Sequence, residues 1–228
     1  MPSRQALRFT LVADGSSDRA ILPVLVWLLR EHLGNVPIHP AFSELRRLPN
    51  PPKSLAERID RSLDLYPCDL LFVHRDAERA PIAEREGEIR EALARSAIDE
   101  ALPVVCVIPT RMQEAWLLIE EDALRRGAGT PDGRQPLRMP DTRRLEDLPD
   151  PKQTLHELLR QASGHRGRRL RRFDRDLGRC VHRVAEEIRD FSRLRALPSF
   201  RHLEAQIVAL RQSHSLVGST QPSADPLE

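Results

Sequence analysis

The chain has 228 residues, 40% of them hydrophobic and 31% charged, a balance that excludes global disorder and suits one α/β domain with additions or two small domains. Its formal net charge of +2 exerts no overall pull toward nucleic acid or membrane. Of 36 basic residues only Lys53 and Lys152 are lysines, which leaves 34 arginines, a bias that a GC-rich genome produces without selection for guanidinium chemistry. Aromatic residues make up 4%, so the core rests on Leu, Val, Ile and Ala. Cys68, Cys106 and Cys180 are odd in number and widely spaced, which points to a reducing cytoplasm instead of a disulfide framework or a zinc site. The longest apolar run, "AILPVLVWLL", is too short to span a bilayer and contains Pro23, so no membrane association is expected.

In chain order, "LRFTLVA" (residues 7–13) reads as a strand that ends at the turn chemistry of "DGSSD". A long apolar helix is expected from Ser17 to about His32, stopped by Gly34 and Asn35. "VPIHPAF" suits an edge strand because of its prolines, and Ser54 caps a helix carrying Leu55, Ile59 and Leu63 on one face. "CDLLFVH" is a third strand, "PIAEREGEIREALARSAI" a helix, and "ALPVVCVIP" a fourth strand whose unbroken apolar run predicts burial on both faces. This alternation predicts an α/β fold, a parallel sheet flanked by helices. "RMQEAWLLIEEDALRR" reads as one further helix with Trp116 in the core. Residues 126–151 read as a loop or cover segment, 152–212 as a helical extension packed on the sheet domain of residues 1–125, and 213–228 as a disordered tail.

In open parallel sheets, sites form beyond the carboxyl ends of the strands. Asp14 and Asp18 follow the first strand, Asp76 and Glu78 the third, and Glu114 the fourth. Carboxylates that converge there repel one another unless a cation joins them, and Mg²⁺ or Mn²⁺ suits oxygen ligands. Each acid also has a structural reading. Asp14 and Asp18 suit helix capping, Asp76 and Glu78 the start of a loop, and Glu114 an ion pair with Arg111. His74 is a candidate ligand or base, although strand alternation predicts that it turns away from Asp76 and packs. Glycine-rich nucleotide loops, a G-x-S-x-G elbow and H-E-x-x-H spacing are all absent. Between Arg160 and Arg183 lie nine arginines. Among them Arg168, Arg169, Arg171 and Arg172 suit phosphate contact as well as a solvated helix face.

A strand ending in an acid-Gly turn, followed by an acidic D-x-D-like pair ending a later strand, resembles the TOPRIM domain. That domain occurs in topoisomerases, primases and nucleases of overcoming-lysogenization-defect type. More closely, "LVADGSSDRAIL", "LFVHRDAER", "VIPTRMQEAWLL" and "LPDPKQTLHELL" are similar to the domain-of-unknown-function 4276 group, over roughly residues 7–210. The resemblance implies a Rossmann-like TOPRIM sheet and a Mg²⁺-dependent site built from Asp14, Asp76, Glu78 and Glu114. Asp14 stands where such domains carry Glu, and Glu78 where they carry Asp; each departure keeps a carboxylate and changes its reach by one methylene. Lys152 matches a lysine that follows D-P in the group and, with Arg75, would meet a phosphate. The implied function is a metal-dependent nuclease acting on DNA or RNA, in a phage- or plasmid-defence setting with a separately encoded ATPase partner. Two alternatives stay open: a non-catalytic scaffold that binds nucleotide or nucleic acid and docks on an ATPase, and a small-molecule phosphotransfer enzyme or phosphatase using the same acids.

Overall fold

The computed structural model describes residues 6–78 and 80–213; the expected tail of residues 213–228 lies outside them except for Ser213. Four strands, β1 (Leu7–Val12), β2 (Ile38–Phe42), β3 (Leu70–His74) and β4 (Val104–Val107), form one all-parallel sheet in the order β2-β1-β3-β4. The α/β class is therefore as expected from the alternation of strands and helices. β2 lies at an edge, where a strand tolerates Pro40 because one side of its backbone needs no partner.

Side chains of β1 and β3 alternate between two cores, as the pleat requires. Phe9, Leu11, Leu70 and Phe72 face one core together with α1 (Leu22–Leu33), while Val12, Leu71 and Val73 face the other, beneath α2 (Leu55–Leu65) and α3 (Ile82–Ala94). α2 starts where the sequence places it. Ser54 Oγ accepts from the Glu57 N–H, and Glu57 reaches back to the Ser54 N–H, forming a capping box. α4 (Glu121–Gly127), α5 (Pro151–Ser163), α7 (Leu177–Glu187) and α8 (Pro198–Gln212) complete the first core, so the C-terminal helices share the sheet's own hydrophobic interior. α6 (Gly167–Arg175) buries no residue at all.

Three details depart from the sequence reading. The first long helix opens as a 3₁₀ turn, Ser16–Ile21, before α1 begins. Pro23 fits the change, because it lacks the N–H that would bond back to the Arg19 carbonyl and so is tolerated only in the first turn of the new helix. "RMQEAWLLIEEDALRR" is likewise split into a 3₁₀ turn, Gln113–Leu117, and α4. Every residue from Gln113 to Ile119 is buried, more than one helical face can bury, and the break lets all of them pack. Finally, β4 buries Val105 and Val107 fully but leaves Val104 and Cys106 half-buried. It is the second edge strand, and the Gln206 amide of α8 closes that edge by accepting from the Cys106 N–H at 2.9 Å and donating to its carbonyl at 3.0 Å.

Among the described residues no helix is long and apolar enough to cross a membrane, and the three cysteines are free.

Candidate functional site

The strand order reverses direction at β1: β2 lies on one side and β3 on the other. The crevice beyond the carboxyl ends of β1 and β3 is thus the topological switch point of the sheet, the place where open α/β folds bind ligands. A pocket of about 230 Å³ opens there, with Asp14, Asp18, His74, Arg75, Asp76 and Arg85 in its walls.

His74, the last residue of β3, is buried between two acids. Its Nδ1 lies 3.5 Å from Asp18 Oδ2 and its Nε2 lies 3.3 Å from Asp76 Oδ1. His74 and Asp76 are two residues apart, a spacing that puts both side chains on one face of an extended chain, so the expectation that His74 would turn away from Asp76 fails. Burial works against a charge on the imidazole, but the two carboxylates outweigh it and raise its pKa to about 9. Both contacts are ion pairs without hydrogen-bond geometry, which leaves both ring nitrogens and the buried Asp76 Oδ1 without a hydrogen-bond partner.

Asp18 is the most fully engaged of the acids. It accepts from the Gly15 N–H at 2.8 Å, Ser17 Oγ at 3.1 Å and Gln113 Nε2 at 3.0 Å. Burial opposes its ionisation, yet His74 and these donors hold its pKa below the ordinary carboxylate value. Asp14 pairs with Arg58 Nη1 of α2 and, at 3.3 Å, with Arg75 Nη1. Arg75 also meets Glu88 of α3 at 3.2 Å. Glu78 lies at the rim, 71% exposed, with left-handed backbone (φ 51°) and its carboxylate 3.7 Å from Arg85.

Glu114, in the buried 3₁₀ turn after β4, behaves differently. Burial raises its carboxyl pKa; Lys152 draws it down, while the negative charges of Asp76 and Asp18 add to the rise. Lys152 belongs to the first turn of α5, and its Nζ is 4.0 Å from Glu114. The Asp150 side chain fixes that turn by accepting the Gln153 N–H at 2.8 Å. The pocket thus brings Asp14, Asp18, His74, Asp76 and Glu78 together, with Asp14 tied to arginines and Glu78 at the rim. Glu114 and Lys152 lie outside that lining, with Glu114 near enough to Asp76 and Asp18 to feel their charge. Arg168, Arg169, Arg171 and Arg172 stand exposed on α6, which follows the C-terminal end of α5, whereas Lys152 lies in the first turn of α5.

Among the described residues no three His, Cys, Asp or Glu side chains form a ready-made metal cage. Mg²⁺ needs less than that, because it retains water and is held by one or two carboxylates together with substrate phosphate. Asp76, whose carboxylate meets only His74 in an ion pair, and Glu114, buried and resisting ionisation, fit such a donor set. Asp14, Asp18 and Glu78 already have their partners in arginines, backbone and amide groups.

Arg58, Arg85 and Gln113 have site roles that no motif assigned. Gln113 had a sequence signal, since it immediately precedes Glu114 in "RMQEAWLL"; the two arginines are among 34 and carried none. No protein-family model, curated protein or solved structure matches the chain.

Proposed function

We propose that the switch-point pocket is a phosphodiester hydrolase site dependent on Mg²⁺ or Mn²⁺, in keeping with the TOPRIM-like resemblance, and that its substrate is DNA or RNA. The supporting observation is that Asp76, paired with His74, lies near enough to a buried Glu114 for its charge to disfavour the ionised Glu114. Perturbed carboxyl groups in a cleft are where acid-base and metal chemistry concentrate.

Asp76 and Glu114 would hold the cation, which when bound polarises a phosphoryl oxygen. The protein's own groups orient the substrate. Arg75, steadied by Asp14 and Glu88, presents its guanidinium to the pocket, and Arg85 adds a buried Nε with no partner. Lys152 is half-exposed beside Glu114 and offers a compact charge to a non-bridging phosphate oxygen. The charged His74 holds Asp18 and Asp76 in place by acting as a fixed cation beneath them. The exposed arginines of α6 give a longer nucleic acid a second place to rest its backbone.

The test is incubation of the purified protein with plasmid, single-stranded DNA and RNA in Mg²⁺ or Mn²⁺, beside Asp76→Ala. Cleavage by the parent that drops at least about 10²-fold in the variant is expected. Equal cleavage by both removes Asp76 from the site. Metal-independent binding of nucleic acid without cleavage would favour the scaffold.

A further inference from the structure

The wall formed by Asp14 and Gly15 has a second side. Behind it, between the end of β2 and the start of α2, lies another pocket of about 210 Å³. Arg46 lines both pockets; Lys53, Arg58, Phe42 and Pro52 line only this one.

Its charge is poised for an anion. Arg58 is held at the pocket wall by Asp14, so the attraction falls to Arg46 and Lys53. Neither Arg46 nor Lys53 forms an ion pair with a described residue. The pocket's acids are Glu44 and Asp14, and Asp14 is already engaged by two arginines. The α2 N-terminus is not the source of the attraction, because Ser54 and Glu57 already cap it. Phe42 and Pro52 add apolar surface against which a ring can rest.

We propose that this pocket is a second phosphate subsite, placed so that the ligand of the switch-point site carries two consecutive phosphates with a ring-bearing unit between or beside them. That is the chemistry of a nucleic-acid strand, and a mononucleotide would leave one of the two pockets empty. The inference rests on the hydrolase reading for what happens at the first phosphate, and not for the binding itself.

Calorimetric titration of the full chain in EDTA, where metal-dependent cleavage cannot interfere, tests it. The ligands are thymidine 5′-monophosphate, 5′-phosphorylated dithymidine and inorganic pyrophosphate, against the parent and Lys53→Gln, an exposed residue that touches only the second pocket. The dinucleotide should bind the parent roughly tenfold more tightly than the monophosphate, the gain of one charge-assisted contact. Lys53→Gln should lose most of that gain while the monophosphate affinity stays within about twofold. Adding Arg46→Gln should abolish the gain. No gain in the parent, a gain that survives both substitutions, or a gain shown by pyrophosphate and not by the dinucleotide each overturns the proposal. The two readings fail separately. Cleavage without the gain sinks the subsite alone, and the gain without cleavage sinks the hydrolase alone.

Discussion

At the scale of single residues, His74 is a buried histidine held between two aspartates. His74 takes up its charge because Asp18 and Asp76 reward it more than burial penalises it. A folded-state pKa raised from 6.5 to about 9 means that the stabilisation is complete below pH 6.5 and fades as pH rises through about 9. Metal-free protein should therefore lose unfolding free energy across that window, on the order of 3 kcal/mol at most, in urea titrations. His74→Gln should flatten the profile, and a parent profile already flat across the window would contradict a charged His74. Glu114 has the opposite economy. Its raised pKa makes the ionised form a burden that grows as pH climbs above the ordinary carboxylate range. Glu114→Gln should thus leave the melting temperature at neutral pH unchanged or higher while cutting cleavage about 10²-fold. A variant that melts well below the parent would show that Glu114 serves the fold and not the chemistry.

At the scale of elements, α5 and α6 carry separable duties. α5 sets Lys152 beside Glu114, and Asp150 fixes its first turn through the Gln153 N–H. Asp150→Ala should cost about 1 kcal/mol in urea unfolding and should weaken cleavage as Lys152 loses its station. Full activity in a destabilised variant would show that Lys152 needs no such anchoring. The four arginines of α6 are exposed, so replacing Arg168, Arg169, Arg171 and Arg172 with Gln should leave stability within about 0.5 kcal/mol. Nucleic-acid binding should then depend less steeply on salt, by roughly one unit of slope for each arginine that meets a phosphate. An unchanged salt slope would reduce α6 to a solvated face. The sequence made these elements visible through periodicity and caps. It hid the breaks at Leu22 and after Leu117, because runs of apolar residues do not declare how many faces will be covered.

Over the whole molecule, the alternation of elements predicts the parallel sheet, and its order β2-β1-β3-β4 places the crevice at the ends of β1 and β3. Asp14, Asp76 and Glu114 could be picked from sequence because each closely follows a strand that a parallel sheet must align. Their individual states could not, because those depend on long-range partners. Arg58 comes to Asp14 from α2, and Gln113 reaches Asp18 from the far side of β4. Nor could the role of His74, which depends on Asp18 reaching it from the turn after β1. What joins these parts is the claim that Asp76 and Glu114 hold a divalent cation at the switch point. Titration with Mn²⁺, followed by the electron paramagnetic resonance of the free ion, measures this directly in the parent, Asp76→Asn and Glu114→Gln. Saturable Mn²⁺ binding by the parent, weakened at least about tenfold in each variant while both remain folded, is the predicted result. Binding that is absent from the parent, or unchanged by both substitutions, would contradict it.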